Sequence, residues 1–376
     1  MDNIRLQLVY PMKSKSSKKH SSSSSAPKVA LLFLTNTDHE HERLWKSFLT
    51  KHRHQYSVYC HPAKAHAISP HSILRRTSSQ SKYEGLLPRY KCIPKPNNRW
   101  GHLVLAYYQL LHQAYHDPAN NNQRFVYLSE TCVPCASADD VYKRLTADLN
   151  VTYMDAPHPQ DDLHRYNALV PFKSWINMFP MSKKQLQKLK KKTRRNQQDS
   201  CASYFKQSGI LKSHFFKHAG WFSPNRDAAC KLLRHKDAFQ ALNMTQAGDE
   251  HILSILKRDA YKSNTPLKNQ QVTYVTWNES QKREWEKIRM NESEDSQFWQ
   301  KMSFRVKISD PKGHAEYLKK REECKNASMH PVAYTQSIPK QTLKECHSLK
   351  SCFIRKVRAS CHVQPLVDII QSTNDK

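Results

Sequence analysis

Glycine is scarce in this chain, with only 6 among 376 residues. That scarcity argues against glycine-rich phosphate cradles, and neither the Walker nor the dinucleotide glycine signature occurs. Long apolar runs are missing as well. The longest early one, Val29 to Leu34, is far too short to cross a bilayer, so the chain reads as soluble, with no signal peptide or anchor visible. Acidic residues are few: 32 Asp and Glu stand against 61 Lys and Arg, a net charge of +29. There is no Asp-x-Asp triplet and no HExxH, so two familiar ways of holding a divalent cation are absent from the sequence. The positive field attracts polyanions, whether nucleic acid, acidic membrane, sulfated glycan or a diphosphate, and net charge does not choose among them. Eight of the cations fall between Lys183 and Arg195.

Hydrophobic residues make up 38% of the chain and aromatic ones 10%, enough for a sizeable core in one large domain or two moderate ones. The 10 cysteines are an even number that permits disulfides. Asn-x-Ser/Thr sequons begin at Asn150, Asn243, Asn278, Asn291 and Asn326, and both features fit a lumenal protein. Residues 1–26, rich in Ser and Lys, are expected to be a disordered tail.

From Lys28 the patterning is that of an α/β protein. Lys28 to Thr35 reads as a buried strand, and Leu44, Trp45, Phe48 and Leu49 recur at helical spacing. Tyr56 to Cys60 reads as a second strand, stopped by His61-Pro62. This strand–helix–strand unit predicts a parallel sheet. Further on, Leu103 to Tyr115 is a predicted helix, Phe125 to Leu128 a strand, and Ala138 to Leu149 a helix with Asp139 and Asp140 at its positive end. The pattern breaks from about Phe172 to Gly209 and resumes at Phe215. After Trp277 the chain is charged and weakly periodic until the apolar–basic segment Cys352 to Val357.

Two segments could carry chemistry. Gly248-Asp249-Glu250-His251 precedes the apolar run Ile252, Leu253, Ile255, Leu256. There Asp249 could cap a helix start while Glu250 points into a cleft as a proton acceptor; the alternative is a plain acidic first turn. Arg355 and Lys356 end an apolar strand, placed to neutralise an anionic leaving group or simply solvated at a strand end. Cys132-x-x-Cys135 is half a zinc site with no second half, and reads better as a local disulfide or two buried thiols. His39-Glu40-His41 and His52-Arg53-His54 read as exposed loop residues, whereas Trp45, Phe48 and Tyr108 read as core.

Taken in order, KVALLFLT, the LW-x-x-F helix, YSVYCHP, RWGHL, FVYLSETCVPC, the Arg165-Tyr166 and Pro171 segment, FKHAGWF, GDEH, VTYVTW and the late FIRK resemble the core-2/I-branching glycosyltransferase family, plant relatives included. The likeness covers about Lys28 to Ser280 and a short piece near Cys352. It implies a GT-A-like, Rossmann-related fold with a mixed sheet flanked by helices. It also implies a UDP-sugar donor, commonly UDP-N-acetylglucosamine, a glycan or glycoprotein acceptor, inversion at the anomeric carbon, and no metal or other cofactor. Residue by residue, Glu250 resembles the general base, and Arg355 and Lys356 the diphosphate clamp. Thr35, His61, Trp100 and Gly101 would lie near the nucleotide, and Glu130, Trp221 and Trp277 on the acceptor side.

On this reading 27–285 is the catalytic domain, with 172–209 a basic insertion, and 286–376 an extension completing the diphosphate site. The sequence departs from the family at Lys217 to Trp221, where Lys-Gly-Ser-x-Trp is usual, and at Thr276, where an acid is usual. The family's ordinary place is the Golgi lumen; with no anchor visible, the cytoplasm is the alternative. The competing functions are a polyanion binder gripping through Lys183 to Arg195, or a family member with the fold and no turnover.

Overall fold

The computed structural model describes residues 26–62, 69, 72, 103–155, 166–167, 201–245, 247–258, 266–276 and 332–372. Its centre is a three-stranded parallel sheet in the order β2-β1-β3, with β1 at Lys28–Thr35, β2 at Tyr56–Pro62 and β3 at Asn122–Ser129. Val29 through Phe33 of β1 are fully buried on both faces. An uninterrupted apolar run does this in a parallel strand because helices cover both sides of the sheet. The register aligns Thr35 with Pro62, and Leu34 with Ser129, so all three strands end at one edge.

Odd positions of β1 (Val29, Leu31, Phe33) face helix α1, Glu42–Thr50. Leu44, Trp45, Phe48 and Leu49 form its buried stripe. Trp45 is the pivot of this layer. Its Nε1 donates to the Cys132 carbonyl at 3.0 Å, and its ring meets Phe33 edge-on at 5.0 Å and stacks on Phe353 at 5.9 Å. Even positions (Ala30, Leu32, Leu34) face α2, Val104–Tyr115, which buries Val104, Ala106, Tyr107, Leu110, Leu111 and Ala114.

A second sheet joins β4 (Val133–Pro134), β8 (Phe353–Arg355) and β7 (Thr273–Val275), with β8 in the middle, antiparallel to β4 and parallel to β7. A third pairs β5, Thr152–Met154, with β6, Leu267–Asn269. The protein is thus a mixed α/β structure with small, largely parallel sheets. Helix α3, Ala138–Thr146, starts where Ser137 caps the Asp140 amide and stops short of the predicted Leu149.

Arg124 of β3 is completely buried and stitches the layers together. Its guanidinium donates to the carbonyls of Leu145, Asp148, Val151 and Ser223 and lies 4.4 Å from the Tyr153 ring centroid. Burial lowers its pKa to about 10, which still leaves it charged at neutral pH.

Three expectations change. Helix α4, Cys201–Gln207, falls inside the segment read as an insertion, yet Cys201 and Phe205 are fully buried beneath the α2 layer. The core takes the chain back before Gly209. His39, His41 and His52 are 4%, 7% and 8% exposed, not surface loop residues, because their rings fill space beside Phe33 and Trp45 or cap local turns. The sequon residue Asn243 is buried, whereas Asn150 is exposed.

Beyond α4 the chain forms α5 (Arg226–Arg234), α6 (Lys236–Leu242), α7 (Ser254–Arg258), α8 (Lys340–Ser348) and α9 (Gln364–Ser372). Among the described residues no helix is long and apolar enough to cross a membrane.

Candidate active site

The strand order fixes where a ligand could enter. From β1 the chain moves to β2 on one side and later returns as β3 on the other, so the carboxyl ends of β1 and β3 form a topological switch point. Open α/β sheets take ligands in that crevice. Asn36, just past β1, donates from Nδ2 to Glu130 Oε1 at 3.1 Å, just past β3. Thr35 closes β1 against the Cys60 thiol at 3.4 Å. His61, at the end of β2, is tied through Nε2 to Gln109 Oε1 at 2.6 Å, and burial lowers its pKa, favouring the neutral ring. Three of the nucleotide- or acceptor-side residues read from the sequence, Thr35, His61 and Glu130, therefore share one sheet edge.

Arg355, the last residue of β8, approaches the same region. Its guanidinium carbon lies 4.3 Å from the Trp221 ring centroid, a cation–π contact. Its Nε is enclosed and has no hydrogen-bond partner among the described residues. Burial lowers its pKa, while Cys132, Tyr107, Asp249 and Glu130, all within electrostatic reach, favour the charged form. A buried guanidinium with an unused donor is poised for an anion, since leaving such a group unpaired is costly.

Lys356 follows on the strand. Its pKa is lowered to about 8, first by burial and then by the Arg355 and Arg358 charges. Two cations are thus held close together although each disfavours the other's charge.

The segment Gly248–His251 folds as a single 3₁₀ turn beginning after Ala247, which sits in the left-handed region at φ 50°. Gly248 allows it to form: a Cβ there would lie 2.0 Å from the Leu242 carbonyl oxygen. The turn is bound to the loop before Trp221. The His218 amide donates to the Glu250 carbonyl at 2.8 Å, and the Leu253 amide donates to His218 Nε2 at 3.1 Å. His218 is completely buried and its pKa falls to about 4, so the ring is neutral and can accept at Nε2 while Nδ1–H donates to the Ala219 carbonyl at 2.7 Å. His251 likewise bonds the Phe216 carbonyl at 2.8 Å and stacks on Phe215. Where the family usually has Gly-Ser after the lysine, this chain uses His218 as an internal brace.

Glu250 projects beside Lys217, with Oε2 3.6 Å from Nζ and about a third of its side chain exposed. Asp249 lies beside Gly220 of the same loop. A Cβ on Gly220 would lie 3.0 Å from both Asp249 Oδ2 and the Tyr107 hydroxyl, and Tyr107 donates to the Gly220 carbonyl at 3.0 Å. Asp249 and Tyr107 therefore connect the acidic turn to the Trp221–Arg355 pair. Neither was singled out from the sequence for this part. Spacing offered one clue: Tyr107 lies on the buried stripe of α2, and a buried tyrosine needs a partner for its hydroxyl.

Trp100, Gly101, Trp277 and the Lys183 to Arg195 run lie outside the described residues. Cys132 and Cys135 are both free thiols, and they diverge. Cys132 engages the Ser129 amide and hydroxyl, each at 3.3 Å, whereas Cys135 donates to the Ser351 carbonyl at 3.3 Å. The two-thiol reading holds, and the local disulfide does not.

The model of the core-2/I-branching enzyme family matches residues 29–302, most of the chain. The chain belongs to the core-2/I-branching enzyme family. A search of curated proteins gave no match. Membership makes the protein a glycosyltransferase by family, with a sugar donor and a glycan acceptor as its substrates. The matched span contains the sheet edge, Trp221 and the Gly248–His251 turn; Arg355 and Lys356 lie beyond it.

Proposed function

We propose that this core-2/I-branching protein transfers a sugar, N-acetylglucosamine, from a UDP donor to a hydroxyl of a glycan or glycoprotein, with inversion and without a metal. Glu250 removes the proton from the acceptor hydroxyl as its oxygen attacks the anomeric carbon. The bond from that carbon to the diphosphate oxygen breaks in the same displacement, and its electron pair leaves with UDP. Arg355 and Lys356 meet the growing negative charge, the part a divalent cation plays in other transferases. The GT-A-like description of the fold belongs to this reading.

One observation carries it. The Arg355 guanidinium is fixed on Trp221 with an enclosed, unbonded Nε, within electrostatic reach of Asp249, the chain neighbour of Glu250. The turn that carries Glu250 and the strand end that carries Arg355, 355 − 250 = 105 residues apart in the chain, come within electrostatic reach of each other through Asp249, and this supports the reading.

The test is Glu250→Gln. Transfer should fall by at least about a hundredfold, the usual loss on removing a general base, while UDP binding by calorimetry stays within a few-fold. Full turnover in this variant would remove Glu250 from the chemistry. Transfer by the unaltered enzyme should persist in excess EDTA; a loss restored by manganese would overturn the metal-free mechanism.

A further inference from the structure

His218 stands where this chain departs from the Lys-Gly-Ser-x-Trp pattern, and a glycine at that place has no side chain to offer. Its ring is completely buried and meets Phe222 edge-on, 5.0 Å between centroids. Nδ1 lies 2.7 Å from the Ala219 carbonyl and Nε2 lies 3.1 Å from the Leu253 amide. A carbonyl only accepts and an amide N–H only donates, so one neutral tautomer satisfies both. Nδ1 carries the proton and Nε2 takes the bond from Leu253. Burial lowers the pKa to about 4, which keeps the ring neutral at neutral pH.

The loop around this ring joins both halves of the candidate site. The His218 amide donates to the Glu250 carbonyl at 2.8 Å. Backbone and ring together therefore grip the acidic segment twice, at Glu250 and at Leu253 just before α7. Lys217, one residue earlier, places Nζ 3.6 Å from Glu250 Oε2. On the other side, the Ala219 amide donates to the Asp155 carbonyl at 2.6 Å and Tyr107 donates to the Gly220 carbonyl at 3.0 Å. The Trp221 ring then takes the Arg355 guanidinium at 4.3 Å.

We infer that His218 is a positioning residue for transfer: by holding the Leu253 amide, its Nε2 fixes where Glu250 stands relative to the Trp221–Arg355 pair. The inference rests on Glu250 as the general base and extends that reading to a ring buried behind the site. Without the Nε2 acceptor, the Leu253 amide loses this partner in a place where Leu253 is itself fully buried. An orphaned buried amide is costly, so the segment shifts to satisfy it. A displacement of about 1 Å at a reacting group is enough to cost about a hundredfold in rate.

Two variants separate the bond from the bulk of the ring. Gln reaches about as far as Nε2 and carries an acceptor oxygen, whereas Leu fills similar space with none. In His218→Leu, kcat should fall about tenfold to a hundredfold. UDP binding by calorimetry should keep its affinity within a few-fold, and its stoichiometry counts the folded protein. His218→Gln should recover most of the lost kcat. In a Glu250→Gln background, His218→Leu should cost little more, the mark of residues acting as a unit. Nitrogen NMR of the unaltered protein at neutral pH should find the His218 proton on Nδ1 and none on Nε2, a readout that needs no turnover. Wild-type kcat in His218→Leu beside an inactive Glu250→Gln would overturn this inference alone. Equal losses in the Leu and Gln variants, UDP affinity falling in step with kcat, or a proton on Nε2 would do the same. Full turnover in Glu250→Gln would instead bring down the reading of Glu250 as the base, and this inference with it.

Discussion

Lys356 is cationic below a pKa of about 8 and neutral above it, because burial, Arg355 and Arg358 all penalise its charge. A diphosphate seated against it favours the charged form, so binding couples to proton uptake as the pH rises past that value. UDP affinity measured by calorimetry from pH 7 to 9 should fall about tenfold, the worth of one charge-assisted contact near 1.5 kcal/mol. Lys356→Arg, whose guanidinium stays charged throughout, should flatten that dependence. A flat profile in the unaltered protein would take Lys356 out of the clamp. Arg355 has no such pH limit: burial lowers its pKa, but arginine begins so high that it keeps its charge.

At the scale of elements, the Gly248–His251 turn depends on what it touches. It packs on the end of α6 so closely that a Cβ at 248 would fall 2.0 Å from the Leu242 carbonyl oxygen. Gly248→Ala must therefore shift backbone and carry Asp249 and Glu250 with it. We expect a loss of about 1–3 kcal/mol in urea unfolding, the usual cost of overpacking, with transfer reduced more than stability alone explains. Wild-type stability in that variant would contradict the contact.

The same turn shows what the sequence could and could not disclose. Lys28 to Thr35 and the Leu44, Trp45, Phe48, Leu49 stripe were legible because burial on one or both faces writes itself into local periodicity. The acidic turn was legible as a motif, but its partners were not. Asp249 lies beside Gly220 and within electrostatic reach of Tyr107, 29 and 142 positions away by subtraction, and no local pattern encodes such pairs. Helices α8 and α9 escaped notice for another reason. In Lys340–Ser348 only Thr342 and Cys346 are buried, too thin a stripe to stand out from a charged background. His39 and His41 misled in the opposite sense: polar by type, they are buried, and burial lowers the pKa of His39 to about 3.

For the whole molecule, the decisive fact is that the chain's late segment completes the early core. The family match ends at residue 302, yet Phe353, Ile354 and Val357 are fully buried and Leu366 and Ile370 nearly so, in the same cluster as Val29, Trp45 and Leu128. Strand β8 joins β4 to β7, and α9 packs on α1, so removing this segment uncovers two layers at once. At about 1.5–3 kcal/mol for each buried side chain, the five contribute about 7–15 kcal/mol. That is as large as the whole stability of a typical domain. A chain ending at residue 331 should therefore show no cooperative thermal transition and no near-ultraviolet circular dichroism, where the intact chain shows both. A sharp transition in the shortened chain would mean that residues 28–276 hold a self-sufficient core. Arg355 and Lys356 would then ride on a dispensable appendage, and the contact of Arg355 with Trp221 would lose its bearing on the reaction.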